Sequence, residues 1–130
     1  MSDDELDIVD WAYFEKSRSE LGPGFIRILS YFREDGAKSL AQIEQAMREQ
    51  NTTALVIPAH TIKGEARQFG AEPLGALAEE IEMTARRAIE MRLFPDELVP
   101  HAARLRPLYE ATMALLEAEA NPLRQRVRAG

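Results

Sequence analysis

Residues 51–70, NTTALVIPAHTIKGEARQFG, are the stretch around which the rest of the chain is organised. The stretch opens with the cap-type side chains Asn51-Thr52-Thr53 and closes with Gly70, which suits a left-handed helix end. The pattern between these ends predicts a helix over about residues 53–69. Pro58 lies inside it, so we expect a loosened first turn and a half, or a helix that begins near this proline.

One face of this predicted helix is apolar and is expected to pack on the core, and it carries Leu55, Ala59, Ile62, Ala66 and Phe69. At about 100° per residue, His60 lies about 140° from the centre of that face. The histidine is therefore predicted to point to solvent. Lys63, Gly64 and Arg67 follow it from the next turn onward, also off the apolar face.

These side chains have the chemistry of a site that carries an anionic group. The neutral imidazole of His60 is a competent nucleophile near pH 7 and needs no separate base. Lys63 and Arg67 offer cations for phosphoryl oxygens, and the arginine can bind in bidentate fashion. Gly64 weakens a helix interior, but it leaves space beside the imidazole for a bulky group and an approaching partner.

Val56 and Ile57, about one turn before the histidine, also lie off the apolar face, which predicts a surface for docking a partner. A second interpretation needs no function. A lone surface histidine usually has no role, Gly64 could allow another helix to pack closely, and Val56 and Ile57 could be buried under an N-terminal helix. The residues of this helix alone leave both interpretations open.

Four further helices are predicted, over about residues 8–20, 24–50, 72–92 and 96–119. Asp7 can cap the first of them. Gly36 is the weak point of the second helix, where a bend is expected. Pro100 and Pro107 predict a distorted start or a kink in the last helix. No alternating strand pattern occurs, so the predicted fold class is all-α.

Apolar residues recur in these helices at steps of three and four, and those expected to face the core are Ile8, Trp11 and Phe14 (or Glu15), Phe25, Leu29, Phe32, Gly36, Leu40, Ile43, Met47, Leu74, Leu77, Ile81, Ala85, Ala88, Leu98, Ala102, Leu105, Tyr109, Met113 and Leu116. Short connections between long amphipathic helices predict an antiparallel four-helix bundle, up-down-up-down, over residues 8–119. The short N-terminal helix is expected to pack at one end. Residues 1–7 are predicted to be a flexible N-terminus and residues 120–130 a flexible basic tail.

The composition limits the possible functions. The 130 residues, 45% of them hydrophobic, suffice for one domain, and the absence of cysteine excludes disulfides and thiolate metal sites. The acidic start is no secretory signal and no apolar run could span a bilayer, so a cytoplasmic protein without membrane contact is expected. A net charge of −6 argues against nucleic acid as the partner. One chain can complete the bundle, so a monomer is expected.

A spaced set of residues links the histidine helix to the next one, namely His60, Ile62-Lys63-Gly64, Gly70, Leu74 and Ile81-Glu82. Their types and spacing resemble the signature of histidine-containing phosphotransfer (HPt) domains of bacterial two-component phosphorelays. The resemblance extends over residues 8–118. Glu65 departs from the family pattern, where a small residue is usual, but it faces away from His60 on the wheel. Pro58, so near the site, is expected to distort the helix.

The resemblance implies that His60 is phosphorylated on a ring nitrogen by a receiver-domain aspartate and passes the group to another receiver. It implies that Lys63 contacts the phosphoryl group, that Gly64 leaves space for it, and that Glu82 accepts the other ring proton and orients the imidazole. Receiver domains of response regulators and a hybrid sensor kinase are the implied partners. No ATP-dependent kinase activity, cofactor or metal of the chain's own is expected, because the receiver brings the Mg²⁺ and most of the catalysis.

Three alternatives stay open. The chain could be a non-catalytic adaptor that binds a signalling partner through the His60 face. A metal-dependent bundle enzyme is disfavoured, because there are only two histidines and no Glu-x-x-His pair. The second histidine, His101, lies beside Pro100 and is expected to be a surface or capping residue. The chain could also be a domain of a larger sensor kinase, although Met1 and the basic end favour a free-standing protein.

Overall fold

The computed structural model describes residues 8–121, so the predicted flexible segment at 1–7 and residues 122–130 of the predicted tail lie outside the described residues. The start of that tail was predicted wrongly at residue 120, because Ala120 is the last residue of a helix and is buried. Its elements are α1 (Trp11–Leu21), α2 (Phe25–Glu49), α3 (Thr53–Gln68), α4 (Glu72–Met91) and α5 (Val99–Ala120), with 3₁₀ turns at Gly22–Gly24 and Asp96–Leu98. The described part contains no strand, and the prediction of an all-α fold is confirmed. Each helix in this range is too short or too polar to span a bilayer.

The four long helices pack side by side. α3 lies between α2 and α4, and α5 packs on both α2 and α4. Paired charges show that α2 and α5 run in opposite directions, because Arg33 pairs with Glu117 whereas Glu44 pairs with Arg106 at 2.7 Å. α3 and α4 are joined by a short turn and make the most extensive contact in the molecule. The histidine helix therefore has its nearest partner in α4.

The predicted core positions are nearly all buried. The five residues of the apolar face predicted around His60, from Leu55 to Phe69, are fully buried. A chain of ring contacts crosses the interior through Phe14, Phe25, Phe69, Phe32 and Tyr109. Four of these positions are only partly buried, namely Ile8, Trp11, Met47 and Ala102. In α2 the small side chain of Ala46 is fully buried, whereas Met47 packs against the edge of the core.

The ends of α3 are set by the residues that the sequence indicates. Asn51 Oδ1 accepts a hydrogen bond from the Ala54 amide at 3.2 Å, so the helix begins at Thr53 and runs through Pro58 instead of starting at the proline. At the other end, Gly70 adopts a φ of 80°, and the Ala71 amide donates to the Ala66 carbonyl at 2.9 Å. This left-handed end turns the chain directly into α4.

The same glycine connects α1 to the rest of the molecule. The Asp10 amide donates to the Gly70 carbonyl at 2.9 Å, and a Cβ at Gly70 would lie 2.7 Å from the Asp10 carbonyl oxygen. The cap of α1 is also Asp10, whose Oδ1 accepts from the Tyr13 amide at 3.1 Å. The helix therefore starts later than predicted, and the proposed cap, Asp7, lies outside the described residues.

Gly36 is buried at the predicted core face of α2, where this helix meets α5. α2 continues through it from Phe25 to Glu49. The ring of Tyr109 lies so close that a Cβ at Gly36 would be 2.6 Å from its Cε2, and the Tyr109 hydroxyl donates to the Arg33 carbonyl at 2.7 Å. The glycine thus allows α5 to approach α2 closely.

Glu65 is a partly buried carboxyl group on α3, on the side of that helix that faces Asp35 of α2. Burial raises the pKa of Glu65, and the negative charge of Asp35 raises it further, to about 7. The folded protein therefore retains the proton of this carboxyl group up to neutral pH. The unfolded chain loses it near the ordinary value of 4.5.

We expect this difference to make the stability of the protein depend on pH. The stabilisation is present below the ordinary pKa and is lost as the pH rises from about 4.5 to 7. Glu65→Gln removes this titration, so the free energy of unfolding of the variant, relative to that of wild type, should rise by about 2 kcal/mol as the pH increases from about 4.5 to 7. This is less than the full pKa shift would give, because the side chain retains some contact with solvent. Urea unfolding at several pH values measures the effect. A constant difference between the two proteins would contradict it.

Candidate functional site

His60 projects from the middle of α3 into solvent. Its neighbours Ala59 and Ile62 are fully buried in the core, whereas the histidine side chain is 63% exposed. The alternation follows from the helical period, which turns position 60 away from the apolar face. The predicted outward orientation of His60 is therefore confirmed, and the ring is accessible to a second macromolecule.

Glu82 of α4 forms a hydrogen bond with the imidazole of His60. Its Oε2 lies 3.1 Å from His60 Nδ1, and its side chain is only 3% exposed. An ionised carboxylate can only accept a hydrogen bond, so Nδ1 carries the ring proton. In the neutral ring this leaves a lone pair on Nε2, which makes no hydrogen bond to the described part of the chain. The ring nitrogen remote from the backbone is thus the one whose lone pair is available to an electrophile.

Glu82 has two further partners, both cationic. Lys63 Nζ lies 2.7 Å from Oε1, and Arg86 donates to Oε2 through Nε at 3.1 Å and Nη2 at 2.9 Å. Burial by itself raises the pKa of Glu82, but its interactions with Lys63, Arg86 and His60 outweigh burial, and the pKa lies below its ordinary value. The carboxylate is therefore ionised at neutral pH and oriented from three sides.

Arg86 is the site residue that the sequence analysis did not identify. It lies four residues after Glu82 on α4 and shares the oxygen that accepts from His60. The signal in the sequence was the Glu–Arg spacing of i and i+4, which puts the two charges on one helix face. That spacing is common on solvated helices, so it indicates a site only once Glu82 is known to reach the histidine.

Gly64 is exposed one turn after His60, and a Cβ built at this position meets nothing within 4 Å. No neighbouring helix in the described part of the protein needs the glycine for close packing. The space that it leaves opens beside the imidazole, because residues four apart lie on the same helix face.

Arg67 does not lie on the histidine in this structure. Its Nη2 pairs at 3.0 Å with Glu72, the first residue of α4, and at 2.8 Å with Glu79, two turns further along that helix. Gly75 makes room for this arrangement, because a Cβ there would lie 2.8 Å from Arg67 Cγ. The arginine thus ties α3 to α4 one to two turns from His60.

The two residues predicted to dock a partner differ in exposure. Ile57 is 76% exposed, the most of any large hydrophobic side chain in the described residues, whereas Val56 is partly buried against the core. Neither lies under α1, which packs at the other end of α3 through Gly70. An exposed isoleucine one turn from the histidine remains available to a partner.

His101, the second histidine, has a local role. Its Nδ1 lies 3.1 Å from the Glu97 carbonyl oxygen, near the start of α5. This position agrees with the predicted surface or capping residue. Among residues 8–121 no three His, Cys, Asp or Glu side chains are grouped so that they could hold a metal ion.

Comparison with known proteins gives a family and a fold. The family model described as "Hpt domain" matches residues 27–125. No curated protein sequence matches the chain significantly. The fold is similar to the crystal structure of histidine-containing phosphotransfer protein B (HptB) from Pseudomonas aeruginosa PAO1, with a TM-score of 0.74 and 22% identity over 92% of this chain and 96% of that one.

The family match covers most of the chain, including the helices that carry His60, Lys63, Gly64 and Glu82. Hpt domain proteins are phosphoryl carriers rather than kinases, and they interact with receiver domains and kinases of phosphorelays. The resemblance found in the sequence is therefore confirmed. The chain belongs to the Hpt domain family and is a histidine phosphotransfer protein of phosphorelays.

Proposed function

We propose that His60 Nε2 is the atom that accepts the phosphoryl group from a receiver-domain aspartate and then donates it to the aspartate of another receiver. The observation that carries this proposal is the hydrogen bond between His60 Nδ1 and the buried carboxylate of Glu82, on a ring that is 63% exposed. It combines a fixed tautomer with an accessible nucleophile.

In the transfer step the Nε2 lone pair attacks phosphorus and the bond between phosphorus and the aspartyl oxygen breaks. The leaving group is the aspartate carboxylate of the receiver, and the imidazole becomes a phosphorylated imidazolium. Its Nδ1 proton stays in the hydrogen bond to Glu82, whose negative charge stabilises the new positive charge. No proton has to leave the ring, so the reverse step can pass the group on without a base.

Lys63 and Arg67 support the site in different ways in this proposal. Lys63 lies one turn from His60 with its Nζ on Glu82 and only 20% of its side chain exposed. Its flexible ammonium group can exchange the carboxylate for a phosphoryl oxygen on the same face. Arg67 holds α3 against α4 through Glu72 and Glu79, and thus helps to maintain the distance between His60 and Glu82.

The catalysis of the proposed transfer comes mainly from the receiver, which would supply the aspartate and the Mg²⁺ that neutralises the phosphoryl oxygens. The chain itself would use no cofactor and would not phosphorylate itself from ATP. We further propose an antiparallel up-down-up-down arrangement of α2 to α5 with α1 at one end, a monomer, a cytoplasmic location and a hybrid sensor kinase as the upstream partner. The ion pairs of Arg33 with Glu117 and of Glu44 with Arg106 require α2 and α5 to run in opposite directions, which supports this bundle arrangement.

The test is transfer from a receiver domain that carries labelled phosphate on its aspartate. Label that moves to this chain and is lost in acid but stable in base identifies phosphohistidine. The competing interpretation, a non-catalytic adaptor, predicts binding of the receiver without any transfer of label. A folded chain that binds receivers and never becomes labelled would therefore overturn the proposal in favour of the adaptor.

Gly64→Ala separates helix stability from function. The added methyl group has space and removes a helix-interior glycine, so we expect the free energy of unfolding to rise by about 0.5–1 kcal/mol. The same methyl group reduces the space beside His60, and we expect transfer from the receiver to slow by about tenfold because in-line alignment is sensitive to small displacements. Gly24→Ala is the control for transfer, since a Cβ added at Gly24 also meets nothing within 4 Å and this glycine lies before α2 rather than on α3. Unchanged transfer in Gly64→Ala would contradict the role in accessibility.

A further inference from the structure

The surface around His60 differs in character on its two sides. Towards the Gly70 end of α3 it carries charged side chains that pair with one another, namely Arg67, Glu72 and Glu79. Towards the other end it carries exposed apolar side chains, and we call these three the apolar patch: Ile57 at 76%, Ile89 at 39% and Leu93 at 57% exposure.

The apolar patch is continuous with the site because of the register between α3 and α4. Glu82, Arg86 and Ile89 are spaced by four and three residues, which places them on one stripe of α4, and Leu93 follows two residues after the helix ends at Met91. Glu82 directs this stripe towards His60. The stripe then runs towards the start of α3, where Thr52 Oγ1 donates to the Leu93 carbonyl at 3.2 Å and a surface groove is lined by Thr52, Thr53, Ile89 and Leu93.

Basic groups accompany the apolar patch. Arg86 lies between Glu82 and Ile89 on the stripe, and Arg92 lines the same groove as Ile89 and Leu93, together with the acidic Glu49. On the opposite side of His60, two glutamates face one arginine. A partner that brings an aspartyl phosphate next to His60 is negatively charged there, so its field favours the side with Arg86 and Arg92.

We propose that the receiver domain docks over the apolar patch, and not over the Arg67 side of His60. The inference rests on the proposed function of His60 and specifies the surface that this function uses. The occupant would be an apolar surface of the receiver adjacent to its acidic phosphorylation pocket, with Ile57 next to the reacting atoms and Leu93 at the edge of the contact.

The dimensions agree with one contact of ordinary size. At about 1.5 Å per residue along α4, Ile89 lies about 10 Å beyond Glu82, and the last helical residue, Met91, lies about 14 Å beyond it. A typical protein–protein contact covers about 800 Å² on each partner, which corresponds to a radius of about 16 Å. A receiver positioned for attack by His60 can thus cover the whole apolar patch.

The molecule offers a matched control for this surface. Ile26 of α2 is 57% exposed, the same as Leu93, but it lines a groove with Arg33 and Glu117 between α2 and α5. That groove lies between α2 and α5, whereas the groove beside the apolar patch is lined by residues at the start of α3 and the end of α4. A charge placed at Ile26 therefore tests the general effect of an added carboxylate without touching the apolar patch.

The experiment measures receiver-dependent transfer for Leu93→Asp, Ile89→Asp and Ile26→Asp over a range of receiver concentrations. We expect the two patch variants to raise the receiver concentration for half-maximal rate by about tenfold, because a buried unpaired charge weakens a contact strongly. Ile26→Asp should behave as wild type. If Leu93→Asp and Ile89→Asp both transfer with the affinity of wild type, the proposed docking surface is wrong.

A small phosphoryl donor separates this proposal from the one on His60. Phosphoramidate reacts with an exposed histidine and does not need docking, so all three aspartate variants should be labelled by it at the wild-type rate. Slower labelling of the patch variants by phosphoramidate would assign their defect to the imidazole and overturn the docking proposal. If phosphoramidate labels His60→Gln as well as it labels wild type, the proposed phosphorylation site is wrong instead.

Discussion

His60→Gln is expected to abolish phosphoryl transfer and to leave the fold intact. The side chain is 63% exposed and contributes no packing to the core, and the amide of glutamine can still reach Glu82. It offers no nitrogen lone pair that can attack phosphorus, so the loss should be complete rather than partial. Transfer of label from a phosphorylated receiver measures the effect, and circular dichroism with urea unfolding verifies the fold.

His101→Gln is the matched control. This histidine contacts the Glu97 carbonyl at the start of α5, away from Glu82, so its replacement should leave the rate and extent of labelling unchanged. Label that appears on His60→Gln, or that disappears in His101→Gln, would show that the phosphoryl group is carried elsewhere than on His60.

Glu82→Ala is expected to slow transfer by about 100-fold, because it removes the group that orients the imidazole. Without the carboxylate, Nδ1 has no acceptor at 3.1 Å, and neither the tautomer nor the ring plane is fixed. Lys63 and Arg86 also lose their partner, but with 20% and 52% of their side chains exposed both can turn to solvent. We therefore expect a defect mainly in the rate at saturating receiver, with a smaller effect on stability.

Two further variants separate orientation from charge. Glu82→Gln keeps an oxygen that can accept from Nδ1 but loses the negative charge, so its rate should lie between those of wild type and Glu82→Ala. Glu79→Ala removes one of the two acids that pair with Arg67, and because the pair with Glu72 remains, it should leave transfer near the wild-type rate. If Glu82→Ala transfers as fast as wild type at saturating receiver, Glu82 does not orient His60.

Much of the fold was predictable because it depends on local patterns. The helices begin and end within a few residues of their predicted bounds, since caps and glycines act over one turn of the chain. Asn51 and Gly70 both act as the sequence indicates. What the local patterns do not contain is the contact that a distant residue makes. Gly36 allows contact with Tyr109, seventy-three residues away in the sequence numbering, and no local pattern contains that information.

The features of the site likewise fall into those that local sequence predicts and those that depend on distant residues. The sequence by itself determined that His60 faces outward and that Lys63 and Gly64 share its face, because helical periodicity relates residues a few positions apart. Only the tertiary structure decided that Glu82 is buried beneath the ring, that Arg86 joins it, and that Arg67 pairs with Glu72 and Glu79 instead. These contacts depend on the register between α3 and α4. That register is set by the packing of whole helix faces, which no short stretch of sequence specifies.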